Sequence, residues 1–419
     1  MGLYCGIDFG TSNSALAVAT SLGRVELARS RGSGSTLPSA IFYPEDELPR
    51  FGVEALDAFI DGEDGRLLRS LKRILGTSLM TQGTEVNRRR KRFEDIVADF
   101  IRHIKTSAEK QFGTALEHVV MGRPVHFVDG DPEADLRAQT ELEGVARAVG
   151  FRHVEFQYEP IAAAFAHERR LLGPQLALVV DIGGGTSDFT VIRLGETRAL
   201  ADDRRQDILS SAGVRVGGND LDKALSLAAF MPLLGYKSTY GEPEKGLILP
   251  TKPFFELAEW SRVNTLYTPR NRALVEELLA RCHDKPRFGR YCNILRDETG
   301  HELLAVVEDN KIALTEHNEI DSSLDFIEKD LSLTVQRTTF DEAIKEHVER
   351  ISACIDECLH QAEITHEKIA LVILTGGTTE VPGVKATVCA RFPTADISDG
   401  DKLSSVGMGL GYDSIRRFS

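Results

Sequence analysis

Carboxylate, glycine and hydroxyl residues are concentrated in the stretch Val179–Ile192, where together they could bind a phosphate group. An apolar run reaches Asp181, turns through three glycines, Gly183–Gly185, and resumes as an alternating strand. Successive residues without Cβ let backbone N–H groups approach a bulky anion, and the hydroxyls of Thr186 and Ser187 add donors. An aspartate beside a phosphate is unfavourable unless a divalent cation lies between them, so Asp181 suggests Mg²⁺. The alternative is an ordinary glycine-rich β-hairpin.

A second copy of this pattern lies near the N-terminus, in Gly6–Val18. A strand leads to Asp8 and Gly10, and the following Thr-Ser-Asn matches Thr186–Asp188 after a two-glycine insertion. A self-match at this spacing indicates two related halves, with a phosphate gripped between paired hairpins. Chance repetition in a glycine-rich protein is the alternative.

Strand and helix patterns alternate along the chain and supply the elements that must position these loops. Strand patterns at His118–Val125 and His153–Phe156 flank a helix predicted over Asp131–Val149. Glu159 follows the second strand and precedes Pro160, which opens an alanine-rich helix able to pack close against a sheet. The alternation predicts an α/β protein.

Three segments outside the hairpins carry weaker signals. Leu67–Gly76 predicts a short amphipathic helix that ends at glycine, inside a polar, helix-rich segment over Ile41–Gly113. The basic run Arg88–Arg92 is interpreted as the solvated start of a helix, with a patch for an anionic partner as the alternative. The aromatic residues of Pro250–Trp260 are interpreted as the core of a peripheral insertion, with a partner-specific surface as the alternative.

Length and composition limit the function classes. At 419 residues, with 42% apolar and 27% charged residues, the chain is typical of a globular protein of two domains. The net charge of −14 argues against nucleic acid as the main partner. No segment reads as a signal peptide or a membrane span, so no membrane partner is expected. The six cysteines lack a CxxC pair and are interpreted as thiols rather than metal ligands, which places the protein in a reducing, cytoplasmic environment.

Taken in order, the motifs resemble the actin-like ATPase superfamily and, more narrowly, the nucleotide-binding domain of heat-shock-70 (DnaK-type) chaperones, most like the atypical YegD-type branch. Six motifs carry the resemblance: Gly6–Ser14, Leu71–Gly76, Glu159–Ala164, Val180–Asp188, Val216–Asp222 and Thr375–Thr379. Each is weak to moderate alone, but their common order is specific. The resemblance covers essentially the whole chain and is loose only over residues 226–343.

The resemblance implies a fold and a domain plan. The fold is that of the actin-like ATPases, with duplicated ribonuclease H-like lobes, a peripheral subdomain on each lobe and a nucleotide cleft between the lobes. Lobe I is expected over 1–172, with its peripheral subdomain at 37–114. Lobe II is expected over 173–396, with its subdomain at 225–343, and 397–419 would form a C-terminal helix returning to lobe I.

The resemblance also implies ATP or ADP and Mg²⁺ as ligands, and a role for each matching residue. Asp8 and Asp181 would hold Mg²⁺, largely through its waters. Lys72 would neutralise charge as the P–O bond breaks, and Glu159 would orient or deprotonate the attacking water, with Asp181 and Thr186 completing the catalytic set. Without the resemblance, Lys72 would be read as a surface lysine and Glu159 as a capping carboxylate. The nucleotide-binding positions besides Asp8 are Gly10, Thr11, Ser12, Asn13, Lys72, Gly183, Gly184, Gly185, Thr186, Gly217, Gly218, Glu308, Lys311, Thr315, Gly376, Gly377 and Thr378.

Two residues depart from the family at the expected adenosine pocket. Ile312 replaces an arginine that stacks on adenine, and Glu380 stands where a second arginine would be. Each lost guanidinium removes a cation–π contact of about 1–2 kcal/mol when desolvated. The departures predict weaker ATP binding than in the chaperones, or a different base preference.

The implied function is slow, Mg²⁺-dependent ATP hydrolysis that signals nucleotide state by lobe closure to a protein partner or an unfolded client. The chain ends at Ser419 without the family's linker and peptide-binding domain, so peptide binding in the family's manner is not inferred from the resemblance. Three alternatives stay open: a nucleotide sensor without turnover, a filament-forming actin relative, and a small-molecule kinase on the same fold.

Overall fold

The computed structural model describes residues 2–20, 22–29, 34–45, 47–86, 89–128, 130–168, 171, 173–196, 198, 201, 203–242, 244, 246–260, 262–398 and 405–419. The chain divides into two compact units. Unit 1 comprises Met1–Val214, Cys354–Thr379 and Cys389–Ser419, and unit 2 comprises Arg215–Ala353 and Glu380–Val388.

The first half of the chain alternates short strands with four helices. The strands are β1 (Leu3–Phe9), β2 (Asn13–Thr20), β3 (Val25–Leu27), β4 (Leu37–Pro38), β5 (Ala40–Pro44), β6 (Arg50–Phe51), β7 (Gly65–Arg69), β8 (Gly83–Val86), β9 (Arg89–Arg92), β10 (His118–Arg123) and β11 (His153–Tyr158). The helices are α1 (Val53–Ile60), α2 (Phe93–Phe112), α3 (Pro132–Ala148) and α4 (Glu159–Glu168), with a 3-10 turn over Leu71–Ile74.

The second half is richer in helix. The strands are β12 (Gln175–Ile182), β13 (Ser187–Leu194), β14 (Ile208–Val214), β15 (Thr239–Tyr240), β16 (Leu247–Ile248), β17 (Glu319–Ser323), β18 (Ser332–Gln336), β19 (Leu371–Thr375) and β20 (Asp396–Ser398). The helices are α5 (Gly218–Leu225), α6 (Lys252–Leu257), α7 (Pro269–Arg281), α8 (Lys285–Asp297), α9 (Gly300–Ala313), α10 (Arg337–Gln361), α11 (Pro382–Arg391) and α12 (Ser405–Phe418).

The two main sheets of unit 1 repeat one topology. The first has the order β11-β10-β1-β2-β3, with β4 also paired to β2, and the second has the order β20-β19-β12-β13-β14. In both, an antiparallel hairpin is flanked by a third antiparallel strand on one side and by two parallel strands on the other. Both predicted hairpins, β1-β2 and β12-β13, are therefore confirmed, and the repeated loop motif belongs to a repeated fold.

Small residues bring α12 close to its neighbours in unit 1. A Cβ at Gly409 would lie 1.9 Å from the carbonyl oxygen of Ala162 in α4, and one at Gly6 in β1 would lie 2.5 Å from the Leu410 Cβ. Leu410 belongs to a buried cluster that also holds Val120 and residues of α4, β12 and β19. The helix that follows the second sheet thus packs on a strand of the first.

In unit 2, α6 and α8 share an aromatic core. The buried Phe254 ring lies 5.0 Å from the Tyr291 ring and 6.2 Å from the Phe288 ring, measured between centroids. The core interpretation of Pro250–Trp260 is confirmed for Phe254, whereas Phe255 stays 37% exposed. No helix in the described ranges is long and apolar enough to cross a membrane.

The predicted helix over Leu67–Gly76 is wrong. Leu67 and Leu68 belong to β7 and pair with Phe42 and Ile41 of β5, and only Leu71–Ile74 is helical, as one 3-10 turn. Ser70, with φ of 58°, separates the two elements. The spacing of the leucines fits both the helical and the strand period, and the pairing of β7 with β5 determines that Leu67 and Leu68 form a strand.

The segment Ile41–Gly113 is mixed rather than helix-rich, because β5 to β9 alternate with α1 and α2. Arg89–Arg92 forms β9 and pairs with β8, so the basic run is a strand and not the start of a helix. The helix expected after it does begin, at Phe93, whose N–H donates to the carbonyl of Gln82 at 3.0 Å. Arg88 lies outside the described residues.

Candidate functional site

Lys72 lies on the 3-10 turn Leu71–Ile74, and α3 holds the end of that turn in place. The N–H of Gly76 donates to Glu141 Oε2 at 2.7 Å, and its carbonyl accepts from Arg137 Nη2 at 2.9 Å. Gly76 has φ of 74°, a conformation that glycine adopts without steric cost. The position of Lys72 therefore depends on a helix far along the chain.

Lys72 forms a nearly buried ion pair with Glu159. Its Nζ donates to Glu159 Oε1 at 2.6 Å, and the two side chains are 12% and 11% exposed. Burial lowers the pKa of the Lys72 amine, but the charges of Glu159, Asp8 and Asp181 outweigh it and raise the pKa overall. Lys72 is thus held as an ammonium ion among carboxylates.

Three further carboxylates surround this pair. Burial, then the charge of Glu159, raises the pKa of Asp8 to about 8, and the same two causes raise the pKa of Asp181. Burial, then the charge of Asp181, raises the pKa of Asp188 to about 7, although the Thr186 hydroxyl hydrogen-bonds the carboxylate at 3.2 Å. Negative charge exceeds positive charge here, which favours binding of a cation.

A cavity opens beside the carboxylates. Its walls include Glu159, Asp181 and Asp188 on the polar side, and Pro124 and Val406 on the apolar side. The structure therefore places acidic groups from β12, β13 and α4 around one space within unit 1.

The first glycine loop closes tightly around Gly10. A Cβ at Gly10 would lie 2.0 Å from the carbonyl oxygen of Asn13, so only glycine fits. The Gly10 N–H donates to Ser14 Oγ at 3.2 Å, and its carbonyl accepts from Ser39 Oγ at 2.7 Å. These two hydrogen bonds fix the turn that contains the predicted phosphate-binding residues Thr11, Ser12 and Asn13.

The second glycine loop is joined to the predicted adenosine loop. The N–H of Gly183 donates to the Thr186 carbonyl at 3.0 Å, and the carbonyl of Gly183 accepts from Thr378 Oγ1 at 3.0 Å. Gly376 has φ of 79°, and a Cβ there would lie 2.3 Å from the Ile182 carbonyl oxygen. Gly184 and Gly185 lie between Gly183 and Thr186, and Gly377 follows Gly376.

The donor set fits Mg²⁺ held through its water molecules. Asp8 and Asp181 supply hard oxygen ligands beside the glycine loops, with an excess of negative charge around them. Within the described ranges, no three His, Cys, Asp or Glu residues converge as a direct metal site. Mg²⁺ keeps several waters in most protein sites, so it does not need such a cage.

The remaining predicted nucleotide residues lie in unit 2. The Gly217 N–H donates to Asp220 Oδ2 at 2.9 Å, and Gly218 begins α5. Lys311 of α9 pairs with Asp222 of α5 at 2.7 Å, with both side chains nearly buried. Glu308 lies on α9, and Thr315 follows it, donating its hydroxyl to the Ile312 carbonyl at 2.7 Å.

Asp188 and Ser39 belong to this site but were not among the predicted site residues. Asp188 aligns with Asn13 when the two copies of the internal repeat are superimposed in sequence, so the repeat itself indicated Asp188 as a site residue. Ser39 reaches Gly10 from a distant segment, and its buried hydroxyl also contacts Ser14 at 2.9 Å. No local pattern distinguishes such a serine from a turn residue.

Comparison with known proteins agrees with the family resemblance found in the sequence. The family model described as Hsp70 protein matches residues 4–230 and 293–400. The chain is similar to the chaperone protein DnaK of Endomicrobium trichonymphae, with 26% identity over 396 residues, which cover 92% of this chain and 53% of that protein. It is also similar to the chaperone protein HscA homolog of Actinobacillus pleuropneumoniae serotype 5b (strain L20), with 24% identity over 436 residues, which cover 99% and 58%. The chain spans about half the length of these curated relatives.

The family match includes both hairpins, the Lys72 turn, Glu159 and the loop that begins at Gly376. It is interrupted over 231–292, inside the segment where the sequence follows the family loosely. The repeated α/β sheets of unit 1 agree with the actin-like ATPase fold of that family, so the predicted fold is confirmed. The chain belongs to the Hsp70 family.

Proposed function

We propose that this protein binds ATP and ADP together with Mg²⁺ and hydrolyses ATP slowly, in the manner of the heat-shock-70 chaperones. The observation that carries the proposal is the buried Lys72–Glu159 pair, with its 2.6 Å contact, beside Asp8 and Asp181. Buried charged groups that perturb one another in this way are concentrated at functional sites.

Each residue of the pair has a distinct task in the proposed reaction. Glu159 orients the attacking water and accepts its proton, because a buried carboxylate in hydrogen-bond reach can act as a general base. Lys72 stabilises the negative charge that develops on the transferred phosphoryl group. The hydroxyl and remaining N–H groups of the two glycine loops hold the phosphates, while the internal hydrogen bonds of Gly10 and Gly183 fix the shape of each loop.

Mg²⁺, when bound, would neutralise charge on the phosphates. Asp8 and Asp181 are the residues that would hold it, through its waters. Burial and the nearby charge of Glu159 raise the pKa of both aspartates, and a bound cation would relieve this repulsion, which supports the assignment.

Weak nucleotide binding is part of the proposal. Ile312 is 57% exposed, where the family pattern has an arginine that stacks on adenine. Lys311, a predicted nucleotide-binding residue, is already paired with Asp222 at 2.7 Å, so binding through it would compete with that ion pair. We expect lower affinity than in the chaperones, or a changed preference between adenine and guanine.

The finer assignments rest on the family. We place the protein in the atypical YegD-type branch, because the adenosine residues depart from the common pattern. A chaperone-like role, in which a protein partner or unfolded client senses the nucleotide state, is proposed from the similarity to the chaperone proteins DnaK and HscA. A cytoplasmic location is proposed from the six free cysteines.

Two measurements on the full chain test the proposal. Calorimetric titration with ATP, ADP and GTP, with and without Mg²⁺, should give Mg²⁺-dependent binding, and sub-micromolar ADP affinity would contradict the expected weak binding. Phosphate release from ATP should be slow and Mg²⁺-dependent. Nucleotide binding without any phosphate release would instead favour a sensor, and the roles of Lys72 and Glu159 in turnover would be rejected.

A further inference from the structure

Arg123 is a nearly buried cation in unit 1 that the proposed reaction does not use. It is the last residue of β10, immediately before Pro124 in the wall of the acidic cavity, and its side chain is 11% exposed. Burying a guanidinium is costly unless its donors are satisfied, so its partners indicate its purpose.

Four hydrogen bonds tie Arg123 to the cavity wall and to α3. Its Nε donates to the Pro124 carbonyl at 3.1 Å and its Nη2 to the Val125 carbonyl at 3.3 Å. Nη2 also donates to Asp135 Oδ2 at 2.7 Å, and Nη1 donates to Gln139 Oε1. Pro124 and Val125 both line the cavity, so Arg123 fixes this wall against the helix.

The guanidinium also lies close to two aromatic rings. Its Cζ is 5.1 Å from the centroid of Tyr158 and 5.3 Å from the centroid of Phe127. Tyr158 pairs with Arg123 across β10 and β11 and directly precedes Glu159. Contact of this kind contributes more when the cation is desolvated, as it is here.

Glu159 packs on the same end of β10. A Cβ at Gly122 would lie 3.3 Å from Glu159 Cγ and 3.4 Å from its Oε1. Gly122 thus leaves room for the carboxylate, while its neighbour Arg123 holds the residue before Glu159.

Two sides of α3 serve the two members of the Lys72–Glu159 pair. Arg137 and Glu141 bind Gly76, at the end of the Lys72 turn. Asp135 and Gln139 bind Arg123. Within each set the two residues are four positions apart, about one helical turn. The same rigid helix therefore contacts both the Lys72 turn and the residue that holds the segment before Glu159.

We propose that Arg123 is a positioning residue: through Tyr158 and α3 it sets the position of the Glu159 carboxylate relative to Lys72, and through Pro124 and Val125 it fixes the adjoining cavity wall. This inference rests on the proposed hydrolytic function. A displacement of about 1 Å in a catalytic group can reduce a rate by about 10²-fold, so such a brace has a measurable effect.

The test compares two ring contacts that are matched in chemistry. Tyr158→Leu removes the Arg123-contacting ring that directly precedes Glu159. Phe127→Leu removes the other ring that contacts Arg123. We expect Tyr158→Leu to lower kcat for ATP hydrolysis about tenfold, with Phe127→Leu within about twofold of the native protein. Arg123→Met should lower kcat about 10–100-fold, and Arg123→Lys should lower it by a smaller factor. In all four variants the Kd for Mg·ADP should stay within about threefold of the native value.

Amide hydrogen exchange of the segment 156–163 supplies a readout that does not depend on turnover. Exchange should speed up there in Arg123→Met and Tyr158→Leu but not in Phe127→Leu. Equal loss of kcat in the two ring variants, or unchanged exchange in Tyr158→Leu, would overturn the inference even if Arg123→Met failed to fold. Absence of phosphate release from the native protein would reject the proposed hydrolysis alone, because the exchange comparison would still decide whether Arg123 positions Glu159.

Discussion

Lys72 and Glu159 are 87 residues apart in the chain, yet their side chains meet at 2.6 Å in a nearly buried ion pair. The two residues reach this contact from different directions, one on a single 3-10 turn and the other at the first position of α4. Because both ends of the contact are fixed by separate elements, it is a property of the folded unit and not of either segment.

The first prediction concerns the carboxylate of this pair. Glu159→Gln keeps an oxygen that can accept from Lys72 but removes the base, so ATP hydrolysis should fall by about 10²–10⁴-fold. Nucleotide binding should persist, since the glycine loops are unchanged. Single-turnover phosphate release, with Mg·ADP affinity measured in parallel, checks this. A rate equal to that of the native protein would remove Glu159 from the reaction.

The second prediction concerns the first phosphate loop. Gly10→Ala would place a Cβ 2.0 Å from the Asn13 carbonyl oxygen, so the loop must shift. We expect a loss of about 1–3 kcal/mol in unfolding free energy, with weakened nucleotide binding. The matched control is Gly144→Ala in α3, where no described neighbour lies within 4 Å of the added atom and a gain of up to about 1 kcal/mol is expected. Urea unfolding and ADP titration measure both, and similar behaviour of the two variants would contradict the tight turn.

The third prediction concerns a buried ion pair away from the site. Arg204 donates to both oxygens of Glu168 at 2.8 and 2.9 Å, and the two side chains are 2% and 0% exposed. Arg204→Met would leave Glu168 buried without this partner and should cost about 3–5 kcal/mol of unfolding free energy.

The exposed pair Arg147–Glu143 provides the control for this prediction. Its side chains are 50% and 36% exposed, so Arg147→Met should cost no more than about 0.5 kcal/mol. Chemical denaturation of the two variants gives the comparison. Equal losses would mean that the buried pair contributes no more than a surface one.

The fourth prediction concerns the pH dependence of stability. Burial lowers the pKa of His301 to about 4, below its value of about 6.5 in an unfolded chain. The unfolded state therefore binds more protons between these values, so unfolding free energy is highest above about pH 6.5 and falls as the pH drops toward about 4. Between pH 7.5 and 5 the loss should be about 2 kcal/mol.

The sole tryptophan reports on this histidine. Trp260 lies 5.6 Å from His301 between ring centroids, so urea unfolding can be followed by its fluorescence. His301→Gln should remove most of the loss of unfolding free energy between pH 7.5 and 5 that is due to His301. The loss due to other titrating groups is common to both proteins. If His301→Gln kept the full pH dependence, the titration would have to be assigned to another group.

Local pattern was sufficient for the parts of the fold that repeat. The apolar run before Asp181 and the repeat of the same strand, Asp and glycine pattern at Asp8 predicted both hairpins, which are confirmed. The helix predicted over Asp131–Val149 is likewise confirmed as α3, where Asp131 accepts from the Ala134 N–H at 3.0 Å. These signals lie within a few residues of the elements that they specify.

Elements decided by distant partners could not be predicted in this way. Leu67 and Leu68 suit a helix by spacing but pair with β5, and the basic run becomes a strand because β8 lies beside it. Arg123 and Ser39 act through residues far along the chain, and neither lies in a recognisable motif. Tertiary contacts, which a single sequence does not display, determine all of these.

The hydrolytic role of the Lys72–Glu159 pair is tested most directly by Mg²⁺-dependent phosphate release from ATP by the full chain, compared with Lys72→Ala. We predict slow release by the native protein and at least about a 10²-fold slower rate in the variant, because the developing phosphoryl charge loses its cation. Nucleotide that still binds to the variant would show that the fold is intact. Equal release by the two proteins would contradict the central claim that the Lys72–Glu159 pair forms a hydrolytic site.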